Sequence, residues 1–184
     1  MEKKELFDNV SKVLDSISTV LKEKNKRYGN SALEPIHVFY KGDAENSILI
    51  RLDDKLSRIK NSEELRNNDV FDLLGYLFLL QINSLDSSAV FENKVNYVVE
   101  QIMKRLTNFI ETCETDKSIY FTKADDSIQL LTDKSFIIRN LDNTFIPYVK
   151  TMEEHDDEII VGMMLFITLY FVSIGKTDFS ELID

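Results

Sequence analysis

The stretch ILIRLDDKLSRIKNSEELRNNDVFDLLGYLFLLQI, residues 48–82, decides the fold. It holds two helical patterns separated by the polar break NSEELRNN at 61–68. In the first, Ile48, Leu49, Leu52, Leu56 and Ile59 recur at helical spacing, and Arg51, Asp54, Lys55 and Arg58 line the other face. In the second, over 68–84, Val70, Phe71, Leu73, Leu74, Leu77, Phe78, Leu79, Leu80 and Ile82 cover most of the circumference. A helix apolar nearly all round belongs in the middle of a bundle. Yet it carries Asp69 and Asp72 one turn apart, with Tyr76 a further turn along. A carboxylate pair on a helix that must be buried is costly unless it is paired or used.

Outward from this centre the patterns stay helical. Upstream, Leu6, Val10, Val13, Leu14, Ile17 and Leu21 mark an amphipathic helix over 2–24, ended by Gly29 and Asn30, with Pro35 beyond. Residues 31–44 read as a loop with one helical turn near 36–40, and Asp43 is a candidate N-cap for the helix that follows, with Asn46 or Ser47 as alternatives. Downstream, Val95, Val98, Val99, Ile102, Met103, Leu106, Phe109 and Ile110 give a clean helix over 93–112. Residues 134–150 predict a helix bent or ended by Pro147, and 153–174 a last long helix. The run 113–132 is ambiguous, with a small β-hairpin near 118–131 as one reading.

The expected fold is an all-α helical bundle. Shifted by about 88 residues, SILIR at 47–51 meets SFIIR at 135–139, and each half reads as long helix, linker, medium helix, apolar helix. One reading is therefore a pseudo-dimer of two three-helix halves, 1–86 and 87–184, packed as one compact domain, the second half a degenerate repeat. The rival is chance similarity among helices.

Composition narrows the function classes. The 184 residues carry a net charge of −10, which argues against nucleic-acid binding through a basic surface. The single cysteine, Cys113, allows no internal disulfide and has no zinc-type neighbours, which fits a reducing cytoplasm. The longest apolar run, 159–174, is too short to span a bilayer, which takes ~20 residues, and is expected to be a buried helix. EEHDDE at 153–158 reads best as a charged first helical turn rather than a metal cluster.

Three segments are candidates for chemistry. KNKRYGNS at 24–31 offers Lys24, Lys26, Arg27, Tyr28 and a glycine that lets backbone approach a ligand; the alternative is a helix cap and turn. Arg51, Lys55 and Arg58 suit phosphate oxygens, with Asp54 among them as a carboxylate that stays ionised; the alternative is a solvated face of (i, i+4) pairs. Asp69 and Asp72 have the one-turn spacing with which bundles hold Mg²⁺; alternatively Asp69 caps its helix and Asp72 pairs with Arg51 or Arg58.

Taken together, KN-x-x-YGNS, IR-x-x-DK-x-x-R and D-x-x-D-L-x-x-Y resemble the nucleotide-modification-associated domain found mainly in phage proteins, over roughly residues 15–82. The matching residues are Lys24, Asn25, Tyr28, Gly29, Asn30 and Ser31; Ile50, Arg51, Asp54, Lys55 and Arg58; Asp69, Asp72, Leu73 and Tyr76. The resemblance implies a helical fold akin to MazG-like nucleotide pyrophosphohydrolases, which bind Mg²⁺ through acids on adjacent helices. Three positions depart from the family pattern. Leu65 stands where the family has Glu, Val70 where it has Thr, and Arg27 where it often has Asp. The departures suit a member that binds and no longer cuts.

These readings yield one expectation and two rivals. The expectation is a phage-derived nucleotide- or phosphate-binding protein of the host cytoplasm. Arg51, Lys55 and Arg58 would hold phosphates, Tyr28 and Asn30 would close on a base, and Asp54, Asp69 and Asp72 would take Mg²⁺. Any catalysis would be Mg²⁺-dependent pyrophosphohydrolysis. The first rival is a non-catalytic acidic inhibitor of a host defence nuclease, of anti-CRISPR or DNA-mimic type, motivated by Asp125, Asp126 and the 153–158 acids. The second is a homodimeric helical scaffold.

Overall fold

The computed structural model describes residues 1–36, 38–39, 41–63, 65–115, 134–150 and 156–183. Every regular element among them is helical: α1 (Lys3–Tyr28), α2 (Ala44–Asn61), α3 (Asn67–Ser84), α4 (Phe91–Thr115), α5 (Lys134–Asn140), a π turn (Leu141–Phe145), α6 (Ile146–Val149), α7 (Asp157–Ser173) and a 3-10 turn (Ser180–Leu182). The all-α bundle expected from periodicity is what forms. The hairpin reading near 118–131 lies outside the described residues. The chain divides into two compact units: Met1–Ser16 with Val99–Ser180, and Ile17–Val98 with Glu181–Asp184. The boundaries fall within α1 and α4.

In the second unit α2 packs along α3. Asp43 caps α2, its carboxylate accepting from the Asn46 N–H at 2.8 Å. Ile48 and Leu52 are the buried residues of α2, while ten residues of α3 are buried, from Val70 to Ile82. The core of this unit also takes Ile17, Val20 and Leu21 of α1 and Val95 and Val98 of α4. Helix α1 runs four residues past the predicted end at Lys24. Lys and Arg are good helix formers, so the polar tail KNKRY stays helical until Gly29 turns it at φ +63°.

In the first unit α7 is buried without interruption from Ile160 to Val172. No helix among the described residues is long and apolar enough to cross a membrane. Asp156 caps α7 by accepting from the Glu158 N–H at 2.8 Å. Its far end closes as a Schellman motif: Lys176 N–H donates to the Phe171 carbonyl at 2.9 Å and Gly175 N–H to that of Val172 at 3.1 Å, with Gly175 at φ +70°. Phe179 then turns back, its ring edge-on to Phe171 at 4.7 Å and its N–H bonded to Ser16 Oγ at 2.8 Å.

Residues 134–150 were expected as one helix bent or ended at Pro147. They form one helical run from Lys134 to Val149, widened by a π turn at Leu141–Phe145. Proline lacks the N–H that would bond four residues back, and the widened π turn lies immediately before it, with Ile146 N–H donating to the Leu141 carbonyl. That turn aims Phe145 at α7. Its ring packs on Phe166 at 5.2 Å, and its Cε1 would lie 2.9 Å from a Cβ at Gly162. Only glycine leaves room there.

Candidate functional site

Lys55 is the pivot of the polar groups on α2 and α3. Its Nζ lies 2.6 Å from Asp72 Oδ2 and 3.8 Å from Asp69 Oδ1. The Lys55 and Asp69 side chains are only 11% and 13% exposed, whereas that of Asp72 is 41% exposed. The two acids on the apolar helix therefore share one ammonium from the neighbouring helix, which pairs closely with Asp72 and more loosely with Asp69. The cap of α3 is Arg66, without a side-chain bond, so Asp69 is not its N-cap. It sits in the first turn, where a carboxylate also gains from the helix dipole.

The charged row of α2 thus separates. Counting ~100° per residue, Lys55 lies about 40° from Arg51 toward the apolar face, and Asp54 about 60° the other way. Lys55 is drawn in against α3, while Arg51 and Arg58 stay exposed. Arg58 turns along its own helix to Asp54 at 3.2 Å, a solvent-facing pair worth a few tenths of a kcal/mol.

Beyond Asp72 a cleft of ≈ 200 Å³ opens between the end of α1 and one face of α3. The α1 wall comprises Lys24, Asn25 and Tyr28 and the turn Gly29–Leu33; the α3 wall comprises Phe71, Asp72, Gly75, Tyr76 and Leu79. Val20, Leu21 and Phe91 complete it, so the lining is mostly apolar. Gly75 lets α1 come near: Leu21 Cδ2 would stand 3.9 Å from a Cβ there.

The turn that forms the rim is braced from within. Asn25 Nδ2 donates to Asn30 Oδ1 at 2.7 Å and to the Gly29 carbonyl at 3.4 Å. Asn30 Nδ2 donates to Glu34 Oε1 at 3.0 Å, and the Asn30 carbonyl accepts from the Leu33 and Glu34 N–H groups at 2.8 and 2.7 Å. The cap-and-turn reading and the binding reading of KNKRYGNS are thus compatible: the turn is built by its own amides, and it leaves Tyr28 62% exposed at the cleft.

Of the residues singled out from sequence, Tyr28, Asn30 and Asp72 line the cleft. Lys55 and Asp69 adjoin it through Asp72. Arg51, Arg58 and Asp54 are not among its described lining. Among the described residues no group of three or more His, Cys, Asp and Glu is placed to hold a metal. The acids near Lys55 are two carboxylates, Asp69 and Asp72, both within reach of its ammonium. Sequence reasoning missed the apolar side of the cleft. Val20, Leu21, Phe71, Leu79 and Phe91 look like core residues in any periodic pattern, and no local signal marks a core residue that borders a void. Comparison of the chain with protein-family models, curated proteins and solved structures finds no match.

Proposed function

We propose that residues 17–98 form a binding site for a nucleotide, and that the protein is a phage-derived nucleotide-binding protein in which hydrolysis is lost or secondary. One observation supports this reading above the others. KN-x-x-YGNS and D-x-x-D-L-x-x-Y, some forty residues apart in sequence, supply opposite walls of one cleft, and the Lys of the third motif holds its carboxylate. Tyr28 and Tyr76 offer ring faces to a base. Asn30 and Ser31 offer polar groups to its edge, and Asp72 accepts from hydroxyl or amine donors.

Mg²⁺ enters this reading as the ligand's counter-ion, with Asp69 and Asp72 as the carboxylates that would meet it once Lys55 gives way; Asp54, paired with Arg58, lies apart from these two. An ion held there would polarise the oxygens of a ligand's phosphate. Calorimetry on the full chain with a panel of nucleosides and nucleotides, with and without Mg²⁺, tests the reading. Saturable binding weakened by Asp72→Asn is expected; no binding across the panel sinks it.

A second reading is favoured by one different observation. In the α1–α2 connection Ile36, Val38 and Phe39 are 88%, 61% and 100% exposed, an apolar group of the kind that meets protein partners. On that reading the acidic chain inhibits a host defence nuclease in the infected cytoplasm. Recovery of a nuclease from host lysate, released by salt and lost in Phe39→Asp, would support it, and an indifferent Phe39→Asp would count against it.

A further inference from the structure

We infer that the cleft admits a ligand with at most one phosphate, whose anionic group lies at Lys24, and that it discriminates against nucleoside triphosphates. The inference rests on the nucleotide reading above and specifies its ligand class. It comes from the charges and the size of the cleft.

Lys24 and Asp72 are the charged residues among the described lining, one positive and one negative. The other cations nearby in sequence are committed or directed elsewhere. Lys55 is drawn to Asp72 and Asp69, and Arg58 to Asp54. Lys26 pairs loosely with Glu23 at 3.9 Å, and Arg27 and Arg51 are exposed and are not among the described lining residues. One ammonium matches one phosphate group. A triphosphate would bring three to four negative charges past Asp72 to a protein of net charge −10, with no further cation among the described lining residues to receive them.

Size agrees with charge. The cleft measures ≈ 200 Å³, below the ~300–1,000 Å³ usual for sites that enclose drug-sized ligands. Its apolar side takes a ring, and its polar rim takes one small charged or hydroxylated group. Mg²⁺ would lower a triphosphate's charge but enlarge it further.

Calorimetry on the full chain with a nucleoside, its monophosphate and its triphosphate, each base in turn with Mg²⁺ present, decides the matter. The monophosphate is expected to bind at least about tenfold tighter than the triphosphate, with the gap narrowing as salt screens repulsion. Lys24→Gln should bring the monophosphate's affinity down about three- to tenfold, toward the nucleoside's, while the nucleoside's own affinity holds within about twofold. Lys24 lies at the end of α1, and far-ultraviolet circular dichroism checks that the variant is folded. A triphosphate that binds as tightly as the monophosphate overturns the inference and leaves the nucleotide reading standing. An unchanged monophosphate affinity in Lys24→Gln overturns the placement of the anion. No binding by any of the three removes the nucleotide reading and this inference together.

Discussion

Lys55 Nζ stands 2.6 Å from Asp72 Oδ2, and this contact joins the charged face of α2 to the acids of an otherwise oily α3. It explains how α3 carries two carboxylates while ten of its residues are buried. Asp69, 13% exposed, depends on the same ammonium at 3.8 Å. Removing Lys55 therefore strands two like charges, one of them nearly buried.

Lys55→Met should lower stability by roughly 1–3 kcal/mol, less than a fully buried pair because Asp72 remains in contact with water. Asp72→Asn should cost under about 1 kcal/mol, since Lys55 keeps Asp69. Urea denaturation of the two variants and the parent reads the ranking directly. A Lys55→Met protein as stable as the parent would show that the contact carries no stability.

Two helical glycines should answer differently to alanine. At Gly162 the new Cβ meets the Phe145 ring at 2.9 Å, so Gly162→Ala should destabilise by about 1–3 kcal/mol despite the better helix propensity. Phe145→Leu in the same chain should recover part of the loss. At Gly75 the nearest atom stands at 3.9 Å, ordinary contact, and Gly75→Ala should be neutral or stabilising by up to about 1 kcal/mol. Thermal melts of the three variants distinguish them.

Gly29 sits at φ +63° with open space around it, so the cost of Gly29→Ala is backbone strain alone, roughly 1–2 kcal/mol. Asn should be tolerated better than Ala at the same position. Asn25→Ala removes both amide bonds to the turn. It should speed amide hydrogen exchange at Leu33 and Glu34, whose N–H groups bond to the Asn30 carbonyl, and leave α3 protected.

Acid should weaken the fold through two turn-closing carboxylates. The Ser88 N–H and hydroxyl, each 2.9 Å from an Asp86 oxygen, hold the Asp86 carboxyl below its ordinary range. The Ser180 N–H, also at 2.9 Å, does the same for Asp178. A carboxyl lowered in the folded state binds its proton more weakly there than when unfolded. Its contribution is complete above the unfolded value, about 3.9, and is lost as pH falls from there through the lower folded value. Asp86→Asn with Asp178→Asn should flatten the decline of melting temperature below about pH 4. An unchanged acid slope would remove these two groups as its source.

Most of the helices were legible from residues alone. The apolar spacing in 48–82 located α2 and α3, the Asp43 cap was marked by its side chain, and the long apolar run from 159 announced a buried helix. These features are local: a helix's face and ends depend on residues within a turn or two of each other. One boundary moved: the α1 tail stayed helical to Tyr28 because its polar residues favour helix. The helix before Pro147 formed as expected, and the π turn within it is the detail that periodicity did not show.

What only the tertiary structure decided was partnership. Helical spacing puts Lys55 nearest the apolar face of α2, but only the packing of α2 on α3 sets it against Asp69 and Asp72. The cleft likewise depends on how far α1 stands from α3 at Gly75 and on where the braced turn after Tyr28 comes to rest. Hydrophobic periodicity says which side of a helix turns inward. It carries no information on the register between helices, and that register determines which charges meet and where the packing leaves a space.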